Sequence, residues 1–153
     1  MIDRFRPCVA VILRNVRGEI LVGERIDVAG AWQFPQGGVE EGETGREALL
    51  REVEEELGLS PSAYEILEER GGYRYRFPEG QLAFGTYAGQ EQTYFLCGLR
   101  EPDPIFQLET GGAEFRAVRW IEPAGFQEKW LPRFKQEVYA EVMQDFFGTA
   151  LLG

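Results

Sequence analysis

The chain has 153 residues and a formal net charge of −10, with 26 acidic against 16 basic residues and no histidine. That length suits one domain built on one core, expected to span 1–153, and 44% apolar with 27% charged residues is ordinary for a globular chain. The missing histidine excludes a His-based triad, a histidine general base and a His-ligated zinc site. The acidic balance argues against a grip on a long phosphate backbone, where affinity comes mainly from Lys and Arg.

In chain order, Asp3, Arg4 and Arg6 precede an apolar run over 8–13. The run is too short for a membrane span and lacks a cleavage-site pattern, so no membrane association and a cytoplasmic location are expected. Residues 5–13 read as a strand, 16–19 as a turn and 19–25 as a second strand completing a hairpin. A small-residue loop over 27–31 leads to a short extended piece, 32–34, stopped by Pro35. After a helix starting at Thr44, strand segments are expected at 64–69 and 73–77, a Gly-rich loop at 80–89, a strand at 90–99, an irregular stretch at 101–112 and a last strand at 117–121. The two irregular stretches are expected to order on ligand binding. Residues 131–147 place Phe134, Val138, Val142 and Phe146 in near-helical register. Cys8 and Cys97 fall in strand-like apolar runs and are expected to be buried free thiols.

The helix after Pro35 carries the strongest signal. Thr44 followed by Glu47 reads as a capping box, Gly58 as a left-handed end and Pro61 as a stop. Leu49, Leu50, Val53 and Leu57 form an apolar stripe, and at 100° per residue Glu52, Glu55 and Glu56 fall together on its flank. Glu47, four residues before Arg51, is placed for a helical ion pair worth roughly 0.2–0.5 kcal/mol. Like charges at such spacing oppose folding, so three carboxylates beside a core-facing stripe imply a cation. Magnesium fits, since it is held by a few carboxylates plus substrate phosphates; manganese accepts the same ligands.

Gly37, Glu43, then Arg51-Glu52-Val53 and Glu55-Glu56 with Gly58-Leu59 complete a pattern of Gly, five residues, Glu, seven residues, Arg-Glu-apolar-x-Glu-Glu-x-Gly-apolar. This matches the Nudix box, and the chain resembles the Nudix hydrolases. The resemblance implies an α/β class, a Nudix α/β/α sandwich with a mixed β-sheet. Trp32-Gln33-Phe34-Pro35-Gln36-Gly37-Gly38 is similar to the WQFPQGG signature of a subgroup that contains RNA 5′-pyrophosphohydrolases and dinucleoside tetraphosphate hydrolases. Arg6-Pro7, the run from Gly89 to Leu96, Glu114-Phe115 with Trp120, and Phe134-Lys135 agree with the same subgroup.

What the resemblance implies for the site is specific. Glu52, Glu55, Glu56 and Glu114 would be catalytic, and with the Gly37 carbonyl they would bind Mg²⁺ or Mn²⁺; Glu43 and Arg51 would pair structurally. Arg25 would contact phosphate, Gln36, Gln90 and Gln92 would offer neutral polar contacts, and bases would stack on rings drawn from Tyr73, Tyr75, Phe77, Phe84, Tyr87 and Phe134. The partner would be a nucleotide substrate, either a dinucleoside polyphosphate or a 5′-triphosphate RNA end; no pattern specifies an oligomeric state. Residues 79–89 hold no basic side chain, where RNA-directed relatives tend to carry several. That gap ranks hydrolysis of dinucleoside polyphosphates such as diadenosine tetraphosphate, giving ATP and AMP, ahead of an RNA 5′-pyrophosphohydrolase. A non-catalytic nucleotide-binding module ranks last, because every box carboxylate is kept.

Overall fold

A computed structural model describes residues 4–78, 87–108 and 114–153. Its strands are β1 (Phe5–Arg14), β2 (Ile20–Arg25), β3 (Trp32–Gln33), β4 (Gln36–Gly38), β5 (Tyr64–Arg76), β6 (Gly89–Leu99) and β7 (Phe115–Ile121), and its helices are α1 (Gly45–Leu57) and α2 (Arg133–Phe147). They form a mixed sheet in the order β3-β2-β1-β6-β5, with β4 added to β1 and β7 to β2. Among these described strands β1 and β6 run parallel and the other pairs are antiparallel.

The apolar run in β1 is continuous because both faces of the strand are covered. Ala10 and Ile12 join one core with Tyr94, Leu96 and the α2 residues Val138, Tyr139 and Val142. Val9, Val11 and Leu13 join the other with Phe95, Cys97 and the α1 residues Leu49, Val53 and Leu57. Two cores on two faces make the expected α/β/α sandwich. Cys8 and Cys97 are buried free thiols, and burial raises both, Cys8 to about 11 and Cys97 to about 12.

Three local expectations differ from the structure. The hairpin of β1 and β2 is brief, with Arg14 opposite Ile20, because residues 8–10 of β1 pair instead with β4, a strand too short to show periodicity. The segments 64–69 and 73–77 are one strand, β5, whose register shifts between Arg70 and Tyr73. Gly72 sits there at φ 87°, a left-handed conformation that glycine adopts without steric penalty. The third is the irregular stretch after β6. Residues 101–108 have no regular structure, yet Phe106 and Leu108 pack on the α1-side core and the Gln107 N–H donates to the Leu57 carbonyl at 2.9 Å. A Cβ on Gly58 would lie 2.6 Å from the Gln107 Cβ, so Gly58 both ends α1 (φ 71°) and admits this segment. The rest of that stretch, 109–112, and most of the Gly-rich loop, with Phe84, lie outside the described residues. No described helix is long and apolar enough to cross a membrane.

Candidate active site

α1 begins as its sequence predicts. The Thr44 side chain accepts from the Glu47 N–H and the Glu47 carboxylate accepts from the Thr44 N–H. Glu47 therefore serves the cap, and the Glu47–Arg51 pair expected from spacing gives way to another. Arg51 forks onto Glu43, with both contacts at 2.9 Å, and donates to the Gly38 carbonyl at 2.8 Å and to Glu52 at 2.8 Å. Glu43 is held down at about 2 by the Arg51 guanidinium. One side chain thus ties the loop after β4 to the carboxylate row of α1. Charge-assisted, two-pronged contacts of this kind fix geometry as well as energy.

Glu52, Glu56 and Glu114 converge: each offers a carboxylate oxygen within 4.8 Å of the others. Glu114 arrives from 58 positions beyond Glu56. It sits just before β7, and its carbonyl accepts from the Ile26 N–H at 2.9 Å, which pins it to the end of β2. Gly37 belongs to the same corner, because a Cβ there would lie 2.1 Å from the Glu52 carboxyl. Burial raises Glu56 to about 7, with Glu52 adding to it, and raises Glu114 to about 8, with Glu56 adding to it; burial also raises Glu52. Desolvation plus like charge is what a bound divalent cation would relieve. The donor set, three carboxylates beside a backbone turn, suits a hard divalent ion that prefers oxygen. Glu55 stands apart: it is exposed and pairs with Arg51 at 3.3 Å.

Beyond Glu114 lies a group that the sequence reading overlooked. Gln33, buried in β3, donates from Nε2 to Glu114 Oε1 at 3.1 Å and accepts at Oε1 from Lys135 Nζ at 3.4 Å. Lys135 is buried on α2, and desolvation lowers it to about 8. A signal existed: Leu131, Lys135, Val138 and Val142 share one helical stripe, so this lysine occupies a core-facing position. Gln33 was visible only as a letter of the signature. Arg6, quoted only for resemblance, has its guanidinium 2.2 Å from where a Gly38 Cβ would stand.

Several candidate substrate residues, Tyr73, Tyr75, Phe77 and Phe134 among them, pack on the α2-side core. Gln92 is fully buried and donates to Gln36, while its own Oε1 has no partner among the described residues. Tyr75 is buried and donates to Gln90. The Phe134 ring lies 5.7 Å from that of Tyr75, and Lys135 Nζ is 5.8 Å and 5.9 Å from these two rings. Tyr73 is a core residue whose hydroxyl donates to Asp145 at 2.8 Å. Arg25 is clamped by Asp27 through contacts of 2.9 and 2.6 Å. Tyr87 lies under the Arg4 guanidinium, 5.2 Å from the ring centre.

The NUDIX domain model matches residues 4–144. An RNA pyrophosphohydrolase of Roseobacter denitrificans is 42% identical over 147 residues, covering 93% of this chain and 91% of its own. Another, of Helicobacter pylori, is 41% identical over 149 residues, with 94% of each chain covered. Among solved structures, the Escherichia coli dihydroneopterin triphosphate pyrophosphohydrolase superposes with a TM-score of 0.66 at 18% identity, covering 95% of this chain and 97% of that one. A Caenorhabditis elegans Ap4A hydrolase complex gives 0.61 at 22%, covering 77% and 80%. At those identities the structures speak for the fold alone. With its box complete and Glu52 and Glu56 of the box gathered with Glu114 at one corner of the sandwich, the chain belongs to the Nudix family and is a Nudix hydrolase.

Proposed function

We propose that this protein is an RNA 5′-pyrophosphohydrolase, releasing pyrophosphate from 5′-triphosphate RNA with Mg²⁺, or Mn²⁺ in its place. The observation that carries the reading is the likeness, at about 40% identity over nearly the whole chain, to proteins named RNA pyrophosphohydrolase. It reverses the ranking drawn from the gap at 79–89. That ranking assumed basic residues had to lie between the box helix and β6, whereas strand pairing brings Arg6 of β1 beside Gln90 of β6.

In this reading Glu52, Glu56 and Glu114, with the Gly37 carbonyl, hold the divalent ions, and Glu55 assists from the rim. A bound divalent ion offsets phosphate charge and lowers the pKa of water. The residues do the rest. Arg51 fixes Glu52 and the Gly38 turn so that the ligands are set before substrate arrives, and Gln33 holds the Glu114 carboxylate beside the cluster. Glu56 or Glu114, through a carboxylate oxygen that the ion does not hold, takes the proton of the attacking water. Lys135 places positive charge beside the cluster, and Arg25, Gln36, Gln90 and Gln92 line the approach for the phosphates and the first nucleotide, with Tyr75, Phe134 and Tyr87 as the nearby rings.

The test is product analysis: a 5′-triphosphate RNA, Mg²⁺ and the protein should yield 5′-monophosphate RNA and pyrophosphate in equal amounts. Intact triphosphate RNA after prolonged incubation would reject the reading.

A further inference from the structure

A cavity of about 720 Å³ lies at the end of the sheet away from the carboxylate cluster. It opens around Arg14, the last residue of β1, six positions beyond Cys8, which pairs with Gly38. At about 3.3 Å per residue that is roughly 20 Å of strand, so the cavity is separate from the candidate active site. Its floor follows from strand pairing. Gly98 of β6 sits between Arg14 of β1 and Glu65 of β5, and with no side chain of its own it leaves a hollow between theirs. Beside it the register of β5 shifts between Ile66 and Glu68, a bulge at Leu67. A Cβ at Gly98 would lie 3.1 Å from Leu67 Cδ1, so the bulge carries the Leu67 side chain over the hollow.

The walls combine apolar surface with charge. Val16 and Leu67 are 61% and 43% exposed, and Phe147, the last residue of α2, lines the same space. Among the described residues its ionisable side chains are Arg14, Arg100 and Glu65, so this cavity keeps one positive charge in a chain of net charge −10. Arg100 has a partner, since its guanidinium lies 3.8 Å from the Glu65 carboxylate. Arg14 is half-buried, and among the described residues its guanidinium makes no ion pair and no hydrogen bond. Asn15 beside it is already committed: its amide donates to Glu19 at 2.9 Å, and its side-chain oxygen accepts from the N–H groups of Arg17 and Glu19.

We propose that this cavity binds a carboxylic acid with an apolar body, the carboxylate on the Arg14 guanidinium and the body against Val16, Leu67 and Phe147. A guanidinium fork matches a carboxylate in shape and offers it two parallel hydrogen bonds. One surplus positive charge balances a monoanion, whereas a phosphate dianion would leave a negative charge uncovered. An inorganic anion of any charge would also leave the three apolar side chains facing water. Small-molecule sites are mostly apolar hollows of this size in which a few polar groups fix orientation, and that is the composition here. The site stands apart from the chemistry at Glu52, Glu56 and Glu114 and does not depend on which substrate is cut there.

The test is an NMR titration of the ¹⁵N-labelled protein with 4-phenylbutyrate, with its neutral amide, 4-phenylbutanamide, and inorganic phosphate as matched probes. The acid should shift the backbone amides of Gly98, Leu67 and Arg100 saturably and leave those of Gly37 and Glu56 in place. The neutral amide should bind at least about tenfold more weakly, the worth of a charge-assisted hydrogen bond. Arg14→Gln should weaken the acid by a similar factor and leave the affinity for the neutral amide unchanged. Leu67→Ser, which keeps the charge, should weaken both organic probes alike. Absence of a saturable shift at Gly98, a neutral amide that binds as tightly as the acid, or an Arg14→Gln variant of unchanged affinity overturns the proposal. So does phosphate that displaces the acid at equal concentration, since the cavity would then recognise charge alone. Should Arg14→Gln fail to fold, the comparison of acid with neutral amide on the wild type still decides.

Discussion

The two helices flank the same sheet but build their sides of the site differently. On the α1 side, the cap, the Arg51 clamp and two of the three converging carboxylates come from residues 37–58, so the machinery is local and its spacing is the mechanism. On the α2 side, Gln33, Gln92, Tyr75 and Lys135 come from three strands and a helix, and no two are neighbours in sequence. Glu114 joins the two sides, touching Glu56 on one and Gln33 on the other. A local site can be read as a motif, whereas one assembled by the sheet is recognisable only after the strands are paired.

The largest expected effect breaks the α1 side. Glu56→Gln should lower kcat on the order of a thousandfold, since it removes a charge that both holds metal and can accept a proton. The Tm of the metal-free variant should equal or exceed the wild type's, because a carboxylate strained by burial is gone; a variant of near-normal turnover would remove Glu56 from the proposed chemistry.

Next comes the join between the sides. Gln33→Leu leaves Glu114 and Lys135 without their bridge, and second-layer partners of metal ligands are worth roughly 10–100-fold in affinity. Mn²⁺ titration calorimetry should show a loss of that size, and an unchanged affinity would mean that Glu114 is oriented without Gln33.

The pH dependence follows from the same carboxylates. Glu56 and Glu114 are raised from 4.5 to about 7 and about 8, so the folded protein keeps protons that the unfolded chain releases near pH 4.5. More protons on the folded state means that stability falls as pH rises from about 4.5 to about 8. The metal-free Tm should drop on the order of 5 °C across that window, and Mg²⁺ or Mn²⁺ at pH 8 should restore it. A metal-free Tm that climbs over the window would contradict the burial of these acids.

The smallest effect sharpens the contrast. Thr44→Ala removes the α1 cap and should cost about 1 kcal/mol, or roughly 2–4 °C in Tm, with kcat nearly unchanged. A large kcat loss would show that the cap, and not only Arg51, sets the carboxylate row.

Much of the α1 side was legible because each feature has a local cause. Thr44 and Glu47 cap each other, Gly58 is left-handed, and Glu52 and Glu56 stand one turn apart. Glu55 shares that face by helical arithmetic, yet the structure turns it to Arg51, since spacing assigns a face but not a rotamer. β4 escaped notice because three residues carry no period, and β5 looked like two strands because Gly71-Gly72 reads as a break when it is a bulge. The proposed function reverses the ranking of substrates for a related reason. Basic residues were sought along one stretch of chain, while parallel pairing of β1 with β6 supplies Arg6 from the N-terminus.

The most direct test of the proposed function is a side-by-side turnover assay with Mg²⁺ at one ionic strength, using a short 5′-triphosphate RNA and diadenosine tetraphosphate. The proposal predicts a kcat/KM at least tenfold higher for the RNA, equivalent to about 1.4 kcal/mol of transition-state binding. A dinucleotide preferred by that margin would contradict it and restore the reading drawn from the sequence gap.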